Sequence, residues 1–163
     1  MTDQFEEPAL PEHEGAALAS GKVRDVISGQ MVPATPEELD AVQPFLKQLL
    51  EDYGYPAEHI RSRPQWRVKT RPSDRRKEYP VDIAVFNGTN HVDANLEIIV
   101  ECKQKTRKDG RDQLEDYLRL SRASLGVWFN GEQRIFLRKL ERDGKVFFKI
   151  CPIFPATGSG CRT

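Results

Sequence analysis

The strongest constraint on the fold is a pair of apolar runs, too short to cross a membrane and too continuous to lie on a surface. The first is Val81-Asp82-Ile83-Ala84-Val85-Phe86, closed by the turn signal Asn87-Gly88. The second is Leu96-Glu97-Ile98-Ile99-Val100-Glu101-Cys102. Such runs read as strands of a sheet that is covered on both faces. Neighbouring strands in sequence usually pair in space, so these two are expected side by side.

Candidate cover is present on either side of the pair. Thr35-Pro36-Glu37-Glu38 is a helix start, with Thr as cap, Pro at the first helical position and Glu at the third. Leu39, Val42, Phe45, Leu46, Leu49 and Leu50 then recur at helical spacing, and the helix is expected to end near Tyr53-Gly54. A second helix is expected over 111–123, after the break Asp109-Gly110, with Leu114, Tyr117, Leu118 and Ser121 toward its inner side. One strand is expected over 60–68. Three more follow over 126–129, 134–140 and 146–150, joined by the hairpin signals Asn130-Gly131 and Asp143-Gly144. The expected fold class is α/β (α+β), a mixed central sheet flanked by helices. Residues 1–20 read as a flexible leader, 21–154 as one domain, and the polar stretch 155–163 as a disordered tail.

Composition removes several function classes. The chain has 163 residues with 38% hydrophobic and 31% charged, in 25 cations against 25 acids. A net charge of zero means that any nucleic-acid affinity must come from local clustering. Cys102, Cys151 and Cys161 lack metal-ligand spacing and read as reduced thiols of a cytoplasmic protein. No secretory signal and no run of about 18 apolar residues is present, so no membrane span is expected.

Chemistry enters where polar residues interrupt the buried strands. Strand alternation places Leu96, Ile98, Val100 and Cys102 on one face and Glu97, Ile99, Glu101 and Lys103 on the other. Asp82 opens the neighbouring strand, so Asp82, Glu101 and Lys103 are expected to converge at one sheet edge. Buried carboxylates need neutralising. Magnesium would do this, since it uses one or two carboxylates, keeps several waters and accepts phosphate oxygens, and manganese would substitute for it. It would activate a water, while Lys103 would position or deprotonate that water and stabilise developing charge. The pattern Glu-x-Lys alone is cheap: Asp143-Gly144-Lys145 resembles it inside a hairpin turn. Gln113 and Tyr117, four apart, share one helical face and would support the site if that face looks toward Lys103. Two basic runs bracket it. Arg67, Lys69, Arg71, Arg75, Arg76 and Lys77 precede Asp82, while Lys105, Arg107, Lys108 and Arg111 follow Lys103. Both offer phosphate contacts without sequence readout.

These residues, taken in order, resemble a known family. Ala34-Thr-Pro-Glu-Glu-Leu39, Tyr53-Gly-Tyr-Pro56, Arg67-Val-Lys-Thr-Arg-Pro-Ser-Asp74, Tyr79-Pro-Val-Asp-Ile-Ala-Val-Phe86 and Ile99-Val-Glu-Cys-Lys103 resemble the N-terminal nuclease domain of type I restriction enzyme R subunits. So do Asp112-Gln-Leu-Glu-Asp-Tyr-Leu118 and Gly126-Val-Trp-Phe-Asn-Gly131, so that the likeness spans about residues 23–153. The resemblance implies a PD-(D/E)xK nuclease with a restriction-endonuclease-like core that cleaves double-stranded DNA with a metal ion. By position, Asp82, Glu101 and the carbonyl of Cys102 would be metal ligands and Lys103 the catalytic lysine. Glu38 would be an additional acid, and Gln113 and Tyr117 a supporting Gln-x-x-x-Tyr motif. Family members continue into ATP-driven helicase motor domains, whereas these 163 residues contain no Gly-x-x-x-x-Gly-Lys-Ser/Thr loop. Motor domains and the specificity and methyltransferase subunits would then supply translocation and target choice. Two other readings stay open: a non-catalytic DNA-binding or assembly module of a restriction complex, and an unrelated enzyme whose acids form surface pairs.

Overall fold

The computed structural model describes residues 21–63, 67–69 and 78–154. The proposed leader and tail, and the basic residues Arg71, Arg75, Arg76 and Lys77, lie outside the described residues. The architecture is mixed α/β: a six-stranded sheet and two helices, with two small two-stranded ribbons beside them. Among the described residues no helix is long and apolar enough to cross a membrane.

In chain order, β1 (Lys22–Arg24) and β2 (Met31–Pro33) form an antiparallel ribbon that the sequence did not announce. Strands of three residues carry too little alternation to be seen as a pattern. Thr35 caps the next element as expected, its Oγ1 accepting the Glu38 N–H at 3.1 Å. A π-helical turn (Glu38–Val42) leads into α1 (Gln43–Glu51). The stretch 60–68 is not one strand but two in different sheets, β3 (Ile60–Ser62) and β4 (Arg67–Lys69). β5 (Glu78–Pro80) pairs with β4, and β6 (Ile83–Phe86) with both β3 and β7 (Leu96–Cys102).

α2 (Arg111–Leu120) stops short of the expected 123 because Lys139 meets its C-terminus. The Lys139 ammonium donates to the carbonyls of Leu118 and Ser121, both at 2.7 Å, and satisfies groups the helix leaves open. β8 (Leu125–Phe129) runs parallel to β7, and β9 (Arg134–Arg142) and β10 (Lys145–Cys151) complete the order β10-β9-β8-β7-β6-β3. Among the described residues the one parallel pair, β7 and β8, is joined through α2, as a crossover requires.

The sheet separates two cores. Phe45, Leu46 and Leu49 of α1 pack with Ile83, Val85, Ile98, Val100, Val127 and Phe129 on one face. Leu114, Tyr117 and Leu118 of α2 pack with Ala84, Phe86, Ile99 and Trp128 on the other. Leu96 breaks the expected alternation. The register shifts between Val85 and Phe86, pairing Val85 with Ile98 but Phe86 with Leu96, and this bulge turns Leu96 toward α2. Beyond the bulge Ile99 keeps its expected face, and with it Glu101 and Lys103. α2 lies close on the sheet at Gly126, where a Cβ would sit 2.6 Å from Leu118 Cδ1.

Candidate active site

Asp82 is placed by antiparallel pairing: it directly precedes the Ile83–Val100 pair, next to the end of β7. Its Oδ2 accepts the Cys102 backbone N–H at 2.8 Å. Glu101 and Lys103 project from the end of β7 toward α2, and the Lys103 Nζ lies 2.8 Å from Glu101 Oε1. The three are almost fully withdrawn from solvent, Asp82 and Glu101 at 4% exposure and Lys103 at 9%. They line a polar cavity of about 180 Å³, together with Tyr79 and Pro80 of β5, Gln113 and Tyr117 of α2, and Glu37 and Arg63 at the entrance to α1 and the end of β3.

The electrostatics follow from that burial. Desolvation, with the charge of Glu37, pushes Asp82 up to about 6 against the Cys102 N–H, Arg63 and Lys103. Burial and the neighbouring Asp82 charge push Glu101 up to about 7, against its hydrogen bond to Lys103. Burial alone would lower the Lys103 pKa, but the hydrogen bond and charge of Glu101 outweigh it and hold the amine protonated. Lys103 is therefore a cation able to donate hydrogen bonds, not a free base, in this arrangement.

The donor set fits a hard divalent cation. Asp82 and Glu101 are oxygen donors whose charges are penalised where they stand, and a cation between them would remove the penalty. Among the described residues no group of three or more His, Cys, Asp or Glu is arranged to hold a metal, so the protein would offer at most two carboxylates to a cation here. The Cys102 thiol faces the α1 core, fully buried, with burial raising its pKa well above the usual range. Only its backbone is available to the site.

The supporting residues divide. Gln113 Nε2 donates to the Tyr117 hydroxyl, both facing the cavity, and Tyr79 packs against Tyr117 with ring centroids 6.0 Å apart. Glu38 does not line the cavity. Its Oε1 accepts from Gln43 at 2.7 Å, and burial raises its pKa. The acid one residue earlier, Glu37, lines it instead.

Arg63 was not singled out from the sequence. It lies 3.4 Å from Asp82 and 4.0 Å from Glu37, and is half exposed at the mouth. Only the antiparallel β3–β6 pairing brings it there, its N–H bonding to the Asp82 carbonyl at 2.9 Å. Lys105, Arg107 and Lys108 stand exposed on the loop after Lys103. Lys105 is 3.9 Å from Glu132, and Arg107 pairs with Asp109.

That loop is pinned from beneath by two residues of the Gly126-to-Gly131 motif. Trp128 Nε1 donates to the Asp109 carbonyl at 2.8 Å, and the buried Asn130 amide donates to the Arg107 carbonyl at 3.1 Å. At its far end Gly110, with φ +103°, passes so near Lys103 that a Cβ would sit 2.5 Å from Lys103 Cε. A residue without a Cβ is needed there both for the backbone angle and for the lysine's path.

No curated protein and no solved structure shows a significant match to the chain. The family described as type I restriction enzyme R protein N terminus matches residues 36–153, from the start of the first helix to the end of the sheet and including every residue that lines the cavity. The chain therefore belongs to the type I restriction enzyme R protein N-terminal family.

Proposed function

We propose that this domain is the DNA-cutting module of a type I restriction system, a magnesium-dependent endonuclease that hydrolyses phosphodiester bonds of foreign double-stranded DNA. The observation that carries the reading is the convergence of Asp82, Glu101 and Lys103, nearly buried, on one polar cavity open to solvent.

Asp82, Glu101 and the Cys102 carbonyl would hold the magnesium ion, with manganese as substitute. When bound it supplies an activated water and screening of the phosphate charge. The chain's residues do the rest. Asp82 is oriented by the Cys102 N–H on Oδ2 and by Arg63 on Oδ1, and its carboxylate and that of Glu101 line the same cavity. Lys103, protonated and leaning on Glu101, donates a hydrogen bond to a phosphate oxygen or to the attacking water and stabilises the charge that builds in the transition state. Gln113 and Tyr117 form the opposite wall and orient the phosphate. Arg63, half exposed at the mouth, would offer its guanidinium to the phosphate. Lys105, Arg107 and Lys108 would meet the backbone of the entering duplex, as would Arg71, Arg75, Arg76 and Lys77. Translocation and choice of target would fall to motor domains and to specificity and methyltransferase subunits of the complex.

The test is nicking of supercoiled plasmid with magnesium or manganese by the parent, Asp82→Ala and Lys103→Ala, in isolation and then within the restriction complex. Loss of cleavage in both variants is expected. Cleavage that persists in both rules out this site. A parent that never cuts, even within the complex, leaves the domain as a non-catalytic DNA-binding or assembly module.

A further inference from the structure

The β9–β10 hairpin carries charge that the cavity does not use. Residues 134–149 hold six cations and two acids in a chain whose net charge is zero. Register decides where they point. Arg138 pairs directly with Lys149 and Arg142 with Lys145, and between these rungs Leu140 faces Phe147. Directly paired residues project to one face, so two like-charged rungs flank an apolar one. Glu141 is opposite Val146 and takes the other face, and Asp143 lies in the turn at φ 53°. Among the described residues no acidic side chain forms an ion pair with Arg142, Lys145 or Lys149. Phe147 is 41% exposed.

Directly opposed like charges destabilise a strand pair. Lysines on an edge strand are a common guard against edge-to-edge aggregation, and Lys145 and Lys149 alone would fit that role. Edge protection does not call for Arg142 on the inner strand facing Lys145, since it adds repulsion without guarding an edge. A polyanion laid across the rungs removes the repulsion. The rungs are four residues apart along β9, about 13 Å. That is close to the width of the DNA major groove, about 12 Å, into which a two-stranded ribbon fits.

We propose that this face of the β9–β10 ribbon is a second binding surface for duplex DNA, made through phosphates and without sequence readout, separate from the cutting cavity. Its separation follows from topology. The same face continues through Phe136 and Cys151 into the α1 core, whereas Glu101 and Lys103 face α2. The ribbon's tip lies past Leu125, at the start of β8, whereas the cavity lies at the far end of the parallel β7. Duplex held here is duplex outside the cutting site. The surface thus retains DNA on the protein while a different stretch enters the cavity. The binding itself does not rest on the nuclease reading.

The test is fluorescence anisotropy of a short labelled duplex of arbitrary sequence. It is titrated in EDTA over a salt series with the full chain and with Arg142→Gln/Lys145→Gln/Lys149→Gln. The triple variant should bind at least tenfold more weakly, and its log–log salt slope should be shallower by about 2 to 3, near 0.9 for each phosphate that is no longer neutralised. Its thermal unfolding midpoint should equal or exceed the parent's, because repulsion has been removed; this separates weakened binding from failed folding. Binding is read in EDTA, where no cleavage takes place, so a failed nuclease reading leaves this result standing. A triple variant with the parent's affinity and salt slope overturns the proposal. So does one that keeps duplex binding but no longer binds labelled poly-glutamate, which would make the surface a dock for acidic protein.

Discussion

In Asp82→Asn the buried carboxylate becomes a neutral amide of nearly the same shape, and its Oδ1 can still accept the Cys102 N–H that Asp82 accepts at 2.8 Å. The change therefore isolates charge. In the folded protein burial pushes this carboxyl from 3.8 to about 6, a cost of about 3 kcal/mol to keep it ionised. That cost is already net of the ion pair with Arg63, which lowers the value and which the variant gives up. At 54% side-chain exposure that pair is worth under about 1 kcal/mol. The ion-free variant should thus be more stable by about 2 to 3 kcal/mol at pH 8, which raises the unfolding midpoint by roughly 4–12 °C for a domain of this size.

The sign of the pH dependence follows from the raised pKa. The parent's stability is fully present below 3.8 and is lost as pH rises through about 6, so the variant's advantage should vanish near pH 4, open between pH 4 and 6, and level off above. Relief of Glu101, which Asp82 pushes up, works in the same direction. Thermal unfolding in EDTA, followed by Trp fluorescence, measures the gain. Repeating it with magnesium measures linkage. At ten times its Kd the ion should stabilise the parent by about 1.4 kcal/mol and the variant hardly at all. A variant no more stable than the parent at pH 8, or equally advantaged at pH 4 and pH 8, would refute the electrostatic reasoning. A parent midpoint that ignores millimolar magnesium would refute the metal site.

Gly110→Ala should keep the fold but impair cleavage at least tenfold, because the new Cβ displaces Lys103 Cε and the residue must hold φ +103°. Plasmid nicking set against the unfolding midpoint separates the two effects, the strain costing about 1 kcal/mol. Gly126→Val should destabilise by about 1–3 kcal/mol in urea unfolding, since it forces Leu118 and Leu114 off β8. Asp25→Ala should cost about 3 kcal/mol or more. It strips the acceptor from the hydroxyls of Ser62 and Ser28 and the Gln43 amide, at 2.6, 2.7 and 2.8 Å. Burial raises the Asp25 pKa, but those bonds outweigh it and hold the carboxyl below 3.8. Its contribution is present above that value and lost as pH falls below it, so parent and variant should converge in acid denaturation.

Much of this protein is local. Thr35 and Pro36 start the first helix because cap and first-turn chemistry depend on adjacent residues alone. The run from Leu96 to Cys102 is a strand because period-two burial is written in its own side chains, and that period carries Glu101 and Lys103 to one face. Asp82 as partner of Glu101 was legible because consecutive strands tend to pair.

What the tertiary structure decided are relations between distant segments. The bulge at Glu97, the division of 60–68 into strands of two sheets and the arrival of Arg63 at Asp82 depend on which backbone pairs with which, and many registers satisfy the same pattern of apolar residues. The choice of Glu37 over Glu38 at the cavity depends on Gln43 reaching back for the latter within the Asp25 network. The shifts that set Asp82 and Glu101 apart from surface carboxylates arise from burial and mutual distance. A linear sequence specifies which groups can carry charge; only packing decides which of them must share one low-dielectric cavity.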